Sequence, residues 1–132
     1  MADSLFRLAC SAGNIAGAPE GWLASVLEEG ELALLVDDGG FGAVSDVAHA
    51  LDVVSLRVLR TEDGAEEQER SVMRYAASMA LIWVAGSFSE LAVEWAHDRG
   101  PMTLLIETSE ALTVEERKRL ERFVVILGRQ AE

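Results

Sequence analysis

Apolar residues recur along this chain on two periods. Five short runs, Leu5–Ala9, Leu32–Val36, Val53–Leu59, Ala80–Val84 and Met102–Ile106, are dominated by apolar residues, the pattern of strands buried on both faces. Between them, apolar positions return every three or four residues, as on one face of a helix. Trp22, Leu23, Val26 and Leu27 share such a face in a helix predicted over Trp22–Glu29, with Gly30 as its stop. Val44, Val47, Ala48 and Leu51 mark a second helix. A third opens at Asp63-Gly64-Ala65-Glu66, which has capping-box spacing, and buries Val72, Tyr75, Ala76 and Met79. Glu66 and Arg70 form an i,i+4 pair on its outer side. Phe88, Leu91, Ala92 and Trp95 form the stripe of a fourth helix, broken by Gly100-Pro101. Thr113-Val114-Glu115-Glu116 is a regular capping box for a fifth, which turns Leu120, Phe123, Val124 and Leu127 inward and ends at Gly128. Gly13 to Gly21 reads as a loop broken by Gly13, Gly17, Pro19 and Gly21.

Strands that alternate with helices across short loops imply parallel pairing and right-handed crossovers. The expected fold is α/β: one domain over residues 1–132, a five-stranded parallel sheet with helices on both faces. Two segments also fit a different fold. Leu91, Val93 and Trp95 alternate, as do Met102, Leu104 and Ile106, and Asp98-Arg99-Gly100 would serve as the turn of a hairpin between them. Leu32–Val36 and Phe41–Val44 pair in the same way around Asp38-Gly39-Gly40. Hairpins there would give an α+β domain of the profilin, roadblock or GAF kind.

In the α/β reading, four runs end in candidate site segments: Ser11-Ala12-Gly13-Asn14, Asp37-Asp38-Gly39-Gly40-Phe41-Gly42, Ala85-Gly86-Ser87-Phe88-Ser89-Glu90 and Glu107-Thr108-Ser109. Parallel strands place all four along one sheet edge, where open α/β sheets bind ligands.

Charge narrows the partners. The 132 residues carry a formal net charge of −12, which repels phosphate backbones and anionic membrane surfaces, so neither nucleic acid nor membrane is an expected partner. The acid is spread over helix faces and turns rather than gathered in a block. No apolar stretch reaches the roughly 18 residues of a bilayer span. The N-terminus lacks a basic segment followed by an apolar one, so the expected compartment is the cytoplasm. The single cysteine, Cys10, excludes an internal disulfide and a cysteine-built zinc site, and its place in the first apolar run marks it as a small buried residue. His49 and His97 have no partner at metal-ligand spacing, and no Walker A or complete Gly-x-Gly-x-x-Gly motif is present. No cofactor or metal is implied.

The block from Arg70 to Ile106 resembles the second half of the LOG/DprA-like Rossmann superfamily, which includes the lysine-decarboxylase-like phosphoribohydrolases. Nucleoside 2-deoxyribosyltransferases are a related group. In that family a helix carrying arginine and methionine leads into a strand that ends in Pro-Gly-Gly-x-Gly-Thr-x-x-Glu. Here Arg70 and Met73 precede Ala80–Val84, followed by Gly86-Ser87-Phe88-Ser89-Glu90, with serine in the threonine position. Ile82-Trp83-Val84 stands where the family has Pro-Gly-Gly. Val36 to Ala50 is similar to the family's Gly-Gly turn followed by a Gly-x-Val-x-x-x-Ala helix.

The resemblance implies a Rossmann-like protein that binds a nucleotide or nucleoside and cleaves or transfers an N-glycosidic bond. On that reading Glu90 is the catalytic carboxylate, and Gly39, Gly40, Gly86, Ser87, Arg70 and Asp38 are ligand contacts. Ser87 or Ser89 would cap the helix that follows and leave N–H groups facing a phosphate or ribose oxygen. Asp37 and Asp38 suit ribose hydroxyls or a divalent cation. Each group also has a purely structural reading: Glu90 complements a helix dipole, Arg70 pairs with Glu66, and Asp37-Asp38 begins a turn. The alternative function is a non-catalytic sensor or interaction module. Phe123, Val124, Val125 and Ile126 are more apolar residues than one helix face buries, so a homodimer through the last helix is expected.

Overall fold

A computed structural model describes residues 5–15, 18–19, 21–36, 57–60, 65–108 and 110–131. Its strands are β1 (Phe6–Cys10), β2 (Gly30–Val36), β3 (Arg57–Arg60), β4 (Ala80–Ala85) and β5 (Thr103–Glu107). Its helices are α1 (Ala12–Ile15), α2 (Trp22–Val26), α3 (Ala65–Ala76), α4 (Glu90–Arg99) and α5 (Val114–Ala131), with single 3-10 turns at Leu27–Glu29 and Gly100–Met102. The strands form one parallel sheet in the order β3-β2-β1-β4-β5. Successive strands are added to one side of β1 and then to the other, so the topology reverses between β1 and β4.

Both faces of the sheet are covered. One face carries Phe6, Leu8, Leu32, Leu34, Ile82, Val84 and Ile106 against α2 and α5. The other carries Ala9, Leu35, Leu81 and Trp83 against α3 and α4. This explains why the central strands are continuous apolar runs rather than alternating ones: β4 has burial at every position from Ala80 to Val84. Trp83 fills the second core, edge-on to Phe88 at 5.1 Å and to Trp95 at 6.2 Å. The indole of Trp22 donates to Glu121 Oε1 at 3.0 Å and joins α2 to α5.

The hairpin alternative fails for residues 91–106. Glu90–Arg99 is helical, and β5 runs parallel to β4, with Leu104 opposite Ile82. Of the other proposed hairpin, Leu32–Val36 is β2, paired in parallel with β1 and β3, while Phe41–Val44 lies outside the described residues, as do the helix expected over Val44–Leu51 and Asp63-Gly64 of the capping box; of the Val53–Leu59 run, only Arg57–Leu59 is described, in β3. The Thr113 box forms as expected: Thr113 N donates to Glu116 Oε1 at 2.9 Å, and Glu116 N donates to Thr113 Oγ1 at 3.1 Å.

Several local expectations change. A single helical turn, α1, replaces the start of the expected loop at Gly13. The last helix runs through Gly128 to Ala131, because a lone glycine weakens a helix without removing a hydrogen bond. Leu91 is 60% exposed, and Ala96 takes the inward position on α4 instead. Gly30 is extended (φ −133°), so it does not end a helix by the left-handed cap; Gly100 does lie in that region at φ 64°. Arg70 pairs with Glu67 at 2.7 Å rather than with Glu66.

Two arginines fasten the far end of α3. Arg7 donates to the Tyr75 carbonyl and lies over its ring, and Arg99 donates to the Met79 carbonyl and stacks on Trp95. Arg7 supplies positive charge to the carbonyl-rich end of the helix, and Arg99 holds the turn that leads from it into β4. Burial pushes the Arg99 guanidinium below its ordinary value.

Candidate functional site at the carboxyl edge of the sheet

The topological reversal brings the ends of β1 and β4 side by side. Ala9 opposite Trp83 is the last β1–β4 pair, so the segment from Ser11 and the segment Gly86-Ser87 leave neighbouring strands at the same edge. Thr108 N donates to Ala85 O at 2.8 Å and extends the β4–β5 contact past Glu107. Three of the four expected segments therefore meet at one edge. Asp37, Asp38, Gly39 and Gly40 of the remaining segment lie outside the described residues.

Asn14 organises this edge. Its side-chain Oδ1 accepts from Ser11 N at 3.0 Å and Ser11 Oγ at 2.8 Å. Its Nδ2 donates to Thr108 O at 3.3 Å and Glu110 O at 2.9 Å, and its backbone carbonyl accepts from Leu112 N at 2.8 Å. The residue is 3% exposed, and it is the one buried polar residue among those described. It links the segments that follow β1 and β5, with the end of β4 between them. Because Ile15 and Leu112 belong to the core beneath α5, the link closes that side of the edge. The α4 side is left to Gly86 and Ser87, both exposed.

Ser89, not Ser87, caps α4. Its Oγ accepts from Ala92 N at 3.1 Å. The hydroxyl proton points to Glu69 Oε1 at 2.5 Å, and Ser89 N donates to Glu69 Oε2 at 2.9 Å. Glu69 thus places a carboxylate at the positive end of α4. The resemblance assigns Arg70 to a phosphate near this turn. In the structure Arg70 is exposed on α3 and engaged by Glu67, while its neighbour Glu69 reaches the turn. Glu69 is separated from Ser89 by 20 residues, and no local motif marks the contact. Glu90 occupies the first turn of α4 and is exposed. Trp83, in the Pro-Gly-Gly position of the resembling family, is 1% exposed within a regular strand, so the chain has a core residue where the family has a phosphate-turn glycine.

Cys10 is fully buried at the end of β1, and desolvation pushes its thiol up to about 12 from 9.0. The folded state therefore keeps this proton at pH values where the unfolded chain loses it. Stability is insensitive to the group below about pH 9 and falls as pH rises above that. At pH 10.5 the expected loss is about 2 kcal/mol relative to a Cys10→Ala variant normalised at pH 8. Urea denaturation of both proteins at the two pH values measures it; parallel alkaline losses would show that Cys10 is not the group responsible.

Compared with protein-family models, with curated proteins and with solved structures, the chain matches none.

Proposed function

We propose that this chain is a small Rossmann-like domain that binds a nucleotide or nucleoside derivative at the crevice between β1 and β4. The observation that carries the reading is the reversal of strand order at that point, where the Ser11 segment and the exposed Gly86-Ser87 turn follow neighbouring strands at one edge. Ligands of open α/β sheets bind at such reversals. The Glu69 carboxylate at the α4 N-terminus opposes a phosphate there and suits hydroxyl donors, so a nucleoside or ribosyl group is favoured over a monophosphate.

Glu90 is the candidate catalytic carboxylate. In N-glycosidic cleavage the bond between the base nitrogen and the anomeric carbon breaks, its electron pair leaves with the base, and water protonates the base. A carboxylate stabilises or captures the oxocarbenium-like carbon until water or an acceptor hydroxyl attacks it. The second reading, a non-catalytic sensor module, rests on the same Glu69 contact, which satisfies the helix end without a ligand.

Thermal-shift measurements against nucleosides, nucleoside monophosphates and dinucleotides, with and without magnesium, test the proposal. A ligand at about 100 times its dissociation constant adds about 2.7 kcal/mol and raises the midpoint by several degrees. The expected pattern is stabilisation by nucleosides, weaker stabilisation by monophosphates, and loss of both in Ser87→Asp. Release of free base that disappears in Glu90→Ala with binding retained identifies the enzyme; binding without release identifies the sensor. Silence across the panel, or binding indifferent to Ser87→Asp, overturns the site.

A further inference from the structure

The charge of this acidic chain is not evenly arranged. Five of its 11 Lys and Arg residues, Arg117, Lys118, Arg119, Arg122 and Arg129, belong to α5. Helical periodicity puts Lys118, Arg122 and Arg129 on one line, flanked by Val125 on one side and Ile126 on the other. Lys118, Arg122 and Arg129 are exposed, as are Val125 by 52% and Ile126 by 51%. None of the three cations has an ion-pair partner among the described residues.

α4 presents the opposite arrangement. Glu94 and Asp98 line its outer face, flanked by Leu91 and Val93, which are 60% and 49% exposed. These carboxylates also have no ion-pair partner among the described residues. The two faces complement each other: Lys118, Arg122 and Arg129 beside exposed Val125 and Ile126 on α5, and Glu94 and Asp98 beside exposed Leu91 and Val93 on α4. They lie on opposite sides of the sheet, since α5 packs on the core of Phe6 and Leu8 and α4 on that of Leu81 and Trp83.

We infer that copies of this chain associate head to tail, the basic face of α5 in one copy docking on the acidic face of α4 in the next. A symmetric pair through α5 is disfavoured by its charges. A two-fold axis across the helix between Val125 and Ile126 sets Arg122 of one copy beside Arg129 of the other, and an axis along the helix sets each cation beside itself. Because the complementary faces point in opposite directions, one copy cannot use both on the same neighbour. The contact is therefore heterologous and propagates beyond a dimer. Two short helix faces bury less than a standard interface, so the association is weak and salt-sensitive.

Sedimentation velocity at low salt, over about 10 μM to 1 mM chain, reads the size distribution. The expected result is a weight-average mass that rises past the dimer, and an association constant that falls at least about tenfold near 0.5 M sodium chloride. Two double variants change only exposed positions: Val125→Asp with Ile126→Asp blocks the basic face, and Leu91→Asp with Val93→Asp blocks the acidic face. Each is expected to be monomeric alone. Mixed in equal amounts they are expected to form a 1:1 dimer and nothing larger, because each keeps one intact face. A wild-type protein that stays monomeric, one that stops at a dimer, a single-face variant that still self-associates, or a mixture that behaves as two monomers overturns the inference. Circular dichroism of both variants establishes that they remain folded.

Discussion

Replacing Asn14 with alanine is expected to destabilise the fold by about 3 kcal/mol, because several hydrogen bonds are lost at once in a buried setting. The amide serves two acceptors, Thr108 O and Glu110 O, and two donors, Ser11 N and Ser11 Oγ. Truncation leaves those groups short of partners at a position that is 3% exposed. Asn14→Asp separates the hydrogen bonds from the packing. A carboxylate still accepts from Ser11, but it faces the two carbonyls with lone pairs instead of N–H groups. Its charged form is disfavoured in the fold, so its folded pKa lies above the ordinary value of about 3.9. The linkage then runs opposite to that of a salt-bridged aspartate: the carboxyl's effect costs nothing below the ordinary pKa of about 3.9 and removes stability as pH rises above it. Urea denaturation of wild type, Asn14→Ala and Asn14→Asp at about pH 4.5 and pH 7 measures both effects. An aspartate variant no more sensitive to rising pH than the alanine variant would show that Asn14 is not held by the two carbonyls.

The importance of Asn14 was only partly legible in the sequence. The segment Ser11 to Asn14 follows an apolar run and so announces a strand end, but the partners of Asn14 lie 94 and 96 residues away. The same holds for Glu69. The sequence pattern identifies an amphipathic helix carrying Val72, Tyr75, Ala76 and Met79 inward; the structure buries the first three, but α3 ends at Ala76 and leaves Met79 half-buried in the turn after it. It does not say which of the polar residues Glu66, Glu67, Glu69 and Arg70 reaches a neighbouring element, since all are compatible with an exposed face. Local motifs fared better where both partners lie within one turn, as Thr113 and Glu116 do. Strands β1, β2, β4 and β5 were legible because burial on two faces leaves a continuous apolar run, and their boundaries moved by one or two residues. Leu91 shows the limit: its spacing fits the buried stripe, but the small residues Ala92 and Ala96 let α4 approach the sheet on their side and turn Leu91 outward.

Gly30 illustrates a position whose residue type is set by tertiary contact alone, and Gly30→Ala is expected to destabilise the fold by about 2 to 3 kcal/mol. Glycine here is not required by the backbone, which is extended at φ −133° and open to any residue. Removing it even shrinks the conformational freedom of the unfolded chain, a stabilising contribution of about 0.4 to 1 kcal/mol. The opposing effect is larger. Gly30 pairs with Phe6 across β1 and β2, and a Cβ at Gly30 would lie closer than 3.0 Å to three atoms of the Phe6 ring. Phe6 is fully buried, and its ring packs into the core with Leu8 and Leu32, so it has no free direction in which to yield. A smaller side chain at position 6 removes the conflict while creating a cavity of its own. Phe6→Leu alone is expected to destabilise, but Gly30→Ala introduced into Phe6→Leu should be near neutral or stabilising. The pair is thus expected to show a favourable coupling of at least about 1.5 kcal/mol in a double-mutant cycle. Urea denaturation of the four proteins gives the coupling directly. Additive effects would mean that Gly30 is needed for some reason other than the ring that lies over it.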